Sequence, residues 1–253
     1  MMHDQLLTPK LQDQSLAPNR FGVYKREQAR ISRRRLYPVT AFYTSYAVIL
    51  LVLAWRTAHP YRAISFFFLV GVPVWTLVEY LSHRFVFHKH FKRSKKFYKK
   101  FYTGLANKYL DPTHWGHHER PTDAMHISGG LKDLLPVFAV IVPLSFIFPF
   151  YTMPMVFAGV VQSYVAEEWI HHCMHFYNFR NPYFRRIKGY HLYHHSSQGI
   201  DRGYGITNEF WDIVFQTRFP EPVRQRLSGR GMPSGLTIRN NRSEGLNIGE
   251  RGF

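Results

Sequence analysis

Long apolar blocks alternate with basic, aromatic-rich ones along this chain. Residues 39–55 (VTAFYTSYAVILLVLAW) run without a charge up to Arg56. As a helix rising about 1.5 Å per residue they would reach roughly 26 Å, close to the ~30 Å depth of a bilayer's hydrocarbon core. Residues 56–63 read as a turn. Residues 64–81 (ISFFFLVGVPVWTLVEYL) form a second apolar span, in which Pro73 permits a kink. The third block, Leu134–Ala166, has no charged residue. As one helix it would be roughly 50 Å long, too long for a single crossing. Pro149 and Pro154 break it into a hairpin of two helices, at about 134–148 and 155–170.

The pattern predicts an all-α integral membrane protein with four transmembrane helices, the last two either crossing fully or partly re-entrant. The competing reading is the buried helical core of a soluble protein. Three apolar blocks with basic flanks weigh against it. Residues 1–36 are expected to be a basic N-terminal arm with some surface helix. Residues 37–219 form the membrane domain, and residues 220–253, rich in Gly, Arg, Ser, Asn and Pro, a largely disordered tail.

Charge sharpens this picture. The net charge is +17 and 17 % of residues are aromatic. Residues 1–36 carry eight Lys/Arg against three acids, residues 82–132 eleven against three, and residues 133–170 no Lys or Arg. Basic blocks beside apolar ones follow the positive-inside rule and imply an anionic membrane surface as partner. The basic run Lys89–Lys100 is not surrounded by any nucleic-acid-binding motif, so no nucleic-acid partner is expected. Cys173 is the only cysteine, which excludes an intrachain disulfide; a small buried residue is its expected role. Residues 1–35 lack the apolar core of a signal peptide.

The candidate chemistry lies in histidines. There are 15, and all but His3, His59 and His126 fall in four clusters: His83, His88 and His90; His114, His117 and His118; His171, His172 and His175; His191, His194 and His195. Positions i, i+3 and i+4 share one helix face, so 114/117/118 and 191/194/195 can each aim three imidazoles at one point, and 171/175 two. His83 and His88 lie about 140° apart on an α-helix. That pair needs a helix end between its members, or a metal approached from the side. Neutral imidazole binds first-row transition metals. Ten such ligands exceed the capacity of one ion, so two metals are expected, with His90, His126 and His172 left as non-ligands or as residues that support the ligands from behind. A hairpin at 134–170 would put all four clusters on one side of the membrane. That side is the basic, cytosolic one, together with both termini.

These motifs resemble those of the fatty acid hydroxylase superfamily, which includes sterol desaturases and carotene hydroxylases. The resemblance rests on the stretches Glu79–His88, His114–Asp123 and Tyr190–His195, followed by Gly203–Asp212 and Phe215–Thr217. It covers about residues 64–219 and is closest to the fatty acid 2-hydroxylase branch. It implies a non-haem diiron site in a cytosolic histidine-rich cap over a four-helix membrane domain. One iron would take His83, His88, His114, His118 and His194, and the other His117, His171, His175, His191 and His195. Zinc can replace iron in a preparation. Gln216 stands where a Gly is common, and Met125-His126-Ile127 departs from the branch's usual segment. His59-Pro60 is not followed by the paired glycines of a fused haem domain.

The implied reaction is dioxygen-dependent hydroxylation of a fatty acyl or related chain. Its electrons would come from a separate donor, a cytochrome-b-type haem protein, ferredoxin or reductase. Asp123 and Asp212, and also Glu79 and Glu168, lie near candidate ligands and are expected to accept imidazole N–H bonds. Phe66–Phe68, Trp75 and the hairpin would line substrate entry. The alternatives are a sterol or carotenoid desaturase or hydroxylase of the same superfamily, a membrane dizinc hydrolase, and a non-catalytic metal or haem carrier. A hydrolase commonly bridges its ions with a carboxylate, and no acid lies inside these histidine boxes.

Overall fold

A computed structural model describes residues 18–57, 61–89, 96, 104, 114–129 and 131–228. His3, His59, His90, nearly all of the Lys89–Lys100 run and residues 229–253 lie outside them. Among the described residues the chain is helical, with no strand.

Helix α1 (Pro18–Thr57) is one uninterrupted helix of 40 residues. Residues 18–36, expected as a basic arm with some surface helix, therefore continue directly into the apolar stretch. Pro38 lies inside the helix without ending it. Helix α2 (Tyr61–Ser82) follows, with Pro73 in its interior. Arg20–Thr57 and Tyr61–Phe87 are long and apolar enough to cross a membrane. Their outer faces expose Ile49, Val52, Leu69 and Val72. A soluble monomer rarely exposes so continuous an apolar surface, whereas acyl chains match it.

Beyond α2 come the helical residues 114–119 (α3), the short α4 (Ala124–Ile127), α5 (Leu131–Ser145), α6 (Met153–Phe176) and α7 (Pro182–His194). Two further short helices follow, α8 (Phe210–Val214) and α9 (Glu221–Leu227). The break between α5 and α6 falls at residues 146–152, where Pro149 and Thr152 form a turn.

Helix α6 is the central element. It packs along both α1 and α2. Val39, Tyr43, Ala47, Leu50 and Ala54 recur every three or four residues on α1, so they form one stripe. That stripe buries against Met155, Ala158, Val161, Tyr164 and Val165 of α6. Trp169 Nε1 donates to Thr40 Oγ1 (2.8 Å) and adds a polar tie. Contact with α2 is closer still. A Cβ on Gly71 would lie 2.5 Å from the carbonyl oxygen of Val156, and one on Gly159 would overlap that of Phe68. Only glycine at both positions lets the two backbones touch.

Candidate metal centre

The histidines sit where these helices end on one side. Helix α2 ends at Ser82, and His83–Phe87 form a single π-turn with His88 N–H donating to His83 O at 3.1 Å. The helical stretch ends at Phe87, with His88 as its C-cap residue, so the helix end expected between the two histidines is present. The widened i→i+5 turn swings His88 back over His83, and their Nε2 atoms stand 3.3 Å apart. His171 and His175 lie on the last turns of α6, and His191 and His194 on the last turn of α7, with His195 at its C-cap. Helix α7 starts at a defined point because Asn181 caps it through Tyr183 N–H and Phe184 N–H, with Pro182 in the first turn.

Two groups of imidazoles result. In the first, His117, His171, His175, His191 and His195 bring ligand nitrogens within 4.8 Å of one another. His171 Nε2 lies 3.0 Å from that of His117, 3.0 Å from that of His191 and 3.1 Å from that of His175. His191 Nε2 is also 2.9 Å from His175 and 3.0 Å from His195. A neutral imidazole nitrogen has one proton or one lone pair, so His171 Nε2 cannot satisfy three neighbours by hydrogen bonding. A shared cation satisfies all of them. At metal–nitrogen distances of about 2.0–2.1 Å, ligands at right angles stand about 3.0 Å apart and tetrahedral ones about 3.4 Å. The observed spacing is that of right angles.

The second group comprises His83, His88, His118 and His194. His88 Nε2 and His194 Nε2 are 2.9 Å apart. His114 stands against this group. Its ring centroid lies 5.0 Å from that of His83 and 4.7 Å from those of His88 and His118, and its buried Nε2 has no hydrogen-bond partner among the described residues. The groups adjoin where the rings of His118 and His195 come within 4.4 Å.

Carbonyls of the loop after α7 aim the second group. His83 Nδ1 donates to Tyr204 O (2.6 Å) and His194 Nδ1 to Arg202 O (2.7 Å). A carbonyl only accepts, so each ring carries its proton on Nδ1 and presents the Nε2 lone pair inward. The loop is itself fastened. Asp212, fully buried, accepts from Tyr204 N–H and Gly205 N–H (3.0 Å each) and from Thr217 Oγ1 (2.7 Å). Glu79 of α2 accepts from Ile206 N–H (2.6 Å) and Thr207 Oγ1 (3.1 Å). Gly203 has φ +69°, and a Cβ there would overlap the Phe219 ring.

Electrostatics favours neutral rings. Burial first, and then neighbouring imidazoles, hold His117, His191 and His195 well below the ordinary histidine range. Burial brings His194 down to about 4, against the opposing pull of the Arg202 carbonyl. Each therefore offers a free lone pair at neutral pH, the form a metal requires.

The remaining candidates are placed elsewhere. Asp123 accepts from Met125 N–H and from His126 Nδ1 (3.0 Å each), so its imidazole partner is not one of the ten. Asp212 and Glu79 meet peptide N–H groups rather than imidazoles. His172 Nδ1 pairs with Ser32 Oγ (2.8 Å) and ties α6 to α1. Cys173 is half-buried. Phe67, Phe68 and Trp75 pack on the α1–α6 core, while Phe66 faces outward. The loop carbonyls of Arg202 and Tyr204 escaped sequence reading. The glycines on either side of Tyr204 are their only trace in the sequence.

Among the described residues the fold and site thus define an all-helical protein with two potential membrane spans and two side-chain groups, each able to hold a metal ion. A sequence model of the fatty acid hydroxylase family matches residues 68–217, more than half of the chain, and the chain belongs to that family. Among curated proteins it is similar to a dihydroceramide fatty acyl 2-hydroxylase of Arabidopsis thaliana, with 34 % identity over 58 % of either chain. It is also similar to the ceramide very long chain fatty acid hydroxylase scs7 of Schizosaccharomyces pombe, with 30 % identity over 65 % of this chain and 45 % of that one. A solved structure described as full-length scs7p with only the hydroxylase domain visible superposes with a TM-score of 0.59 and 27 % identity. The match covers 73 % of this chain and 67 % of that one. The chain spans about half the length of the curated relatives it matches.

Proposed function

We propose that the protein is a membrane-bound, dioxygen-dependent hydroxylase of fatty acyl chains working at a histidine-ligated diiron centre. The convergence of Nε2 atoms at 2.9–3.1 Å carries this reading. In it His117, His171, His175, His191 and His195 hold one iron, and His83, His88, His114, His118 and His194 the other. When bound, the irons supply activation of dioxygen and oxidation of an unactivated C–H bond. The chain's own residues aim the ligands and exclude water. His83 and His194 keep their protons on Nδ1, against the carbonyls of Tyr204 and Arg202, so that their Nε2 atoms stay unprotonated. Asp212 and Glu79 hold the loop that carries those carbonyls.

The relatives' printed names support a lipid substrate, a fatty acyl chain of a ceramide or dihydroceramide being the nearest chemistry. Hydroxylation consumes two electrons per dioxygen, which a separate cytochrome-b-type haem protein, ferredoxin or reductase would deliver. The α5–α6 hairpin completes four crossings, fully or re-entrantly. The site and both termini then lie on the cytosolic side, facing anionic headgroups through the basic segments. The dizinc hydrolase is the weaker reading, because right-angled spacing suits five or six ligands better than zinc's usual tetrahedron.

Lipid mass spectrometry of cells with and without the protein, combined with metal analysis and oxygen uptake, tests the proposal. An acyl lipid gaining one oxygen, with iron in the protein and dioxygen consumed, is the expected result. Zinc with ester or amide cleavage and no oxygen uptake would overturn it.

A further inference from the structure

Helix α8 is built inside out. Around a soluble protein a short surface helix turns its charges to water and its apolar side chains inward. Here Phe210, Ile213, Val214 and Phe215 are 40–56 % exposed. Both acids of the segment are withdrawn. Asp212 is fully buried and bonded to two peptide N–H groups and Thr217. Glu209, about a tenth exposed, is paired with Arg186 (2.8 Å) and Arg218 (3.1 Å). Satisfying both acids internally while exposing four large apolar side chains costs stability in water and favours a medium without it.

A second observation fixes the depth. Trp211 Nε1 donates to Thr76 Oγ1 at 3.0 Å, and the Phe215 ring stacks on Tyr80 with centroids 5.1 Å apart. Thr76 precedes His83 by seven residues, roughly 10 Å back along α2 into its apolar stretch. The exposed Val72 of α2 lies one turn before Thr76 on the same face of the helix that α8 contacts.

We propose that α8 is immersed among the acyl chains of the leaflet that carries the histidine centre, with Phe210, Ile213, Val214 and Phe215 facing lipid. The cap is then sunk into the membrane on this side rather than standing above it. This rests on the membrane-spanning reading of α2.

The test uses the full chain with Cys173→Ser, in phosphatidylcholine vesicles. One nitroxide label is placed at Ile213→Cys, Val214→Cys, Val72→Cys or Gln225→Cys, and its relaxation by dioxygen is compared with that by a water-soluble nickel chelate. At 213 and 214 we expect loss of nickel relaxation with dioxygen relaxation retained, as at 72, while the exposed polar position 225 responds to nickel. Nickel relaxation at 213 and 214 with protection at 72 would overturn the immersion of α8 alone, and would fit a protein-docking face. Nickel relaxation at 72 would overturn the membrane reading itself. None of these readouts depends on metal loading or activity.

Discussion

The two histidine groups are organised differently. In the first, helix pitch sets the aim: His171 and His175, and His191 and His195, are one-turn pairs. His117, His175 and His195 have a buried Nδ1 without an acceptor among the described residues. In the second, a π-turn brings His83 and His88 together, and peptide carbonyls of one loop grip His83 and His194 from behind. The first group is fixed by helix packing, and the second by a loop that depends on Asp212 and Glu79. The two should therefore fail separately.

The largest effect is expected from His191→Ala. His191 touches three other imidazoles of the first group, so the metal content should fall from two ions to one. Hydroxylase activity should reach background, while the protein still inserts in membranes. Elemental analysis beside an activity assay checks this, and two ions retained would remove His191 from the ligand set.

Asp212→Asn acts on the other group. The amide replaces one acceptor with a donor facing a peptide N–H, which loosens the loop behind His83. Losing such outer support costs roughly 10–100-fold in metal affinity. A competitive chelator titration should find one ion weakened by that factor and the other unchanged. Equal weakening of both would break the comparison.

Acid should strip the metals and destabilise the metal-free protein. The buried histidines have folded-state pKa values below the unfolded value of about 6.5, His194 down to about 4. Above 6.5 both states are neutral and the shift contributes nothing. As pH falls below 6.5 the unfolded chain binds protons that the folded one refuses. Stability then drops by about 1.4 kcal/mol per pH unit for each such histidine, until its folded pKa is reached. Denaturant unfolding of the metal-free protein between pH 7 and 5 measures this. A flat profile would mean that the rings are not buried neutral.

The smallest effect is expected at Gln216, the only non-glycine residue with positive φ (58°) among the described residues. Gln216→Gly should relieve strain of about 1 kcal/mol, partly offset by the extra freedom of glycine when unfolded. A thermal melt reads it, and destabilisation would mean that the Gln side chain is bound.

Much of this site was legible in the sequence, for one physical reason: imidazoles on one face of an α-helix recur at fixed spacing. Of the sets 114/117/118, 171/175 and 191/194/195, only 171/175 stays within one group; the other two are each divided between the two groups. At His83 and His88 the 140° separation pointed to a helix end between them, and the chain ends its helix there with a π-turn. The loop ties were invisible because a peptide carbonyl is the same whatever residue carries it. Asp123 looked well placed for a candidate ligand, yet the local turn closes it onto His126. The apolar blocks marked α2 and the break between α5 and α6. They missed that α1 begins at residue 18, since a charged helix leaves no apolar signature.

The glycine contact between α2 and α6 has a mechanical consequence. Gly71 lies twelve residues before His83, and Gly159 twelve before His171, so the crossing point sits roughly 18 Å from either set of imidazoles along its helix. The pair works as callipers with equal arms. Any bulk introduced at the pivot is delivered to the jaws, where His83 of one group and His171 of the other sit.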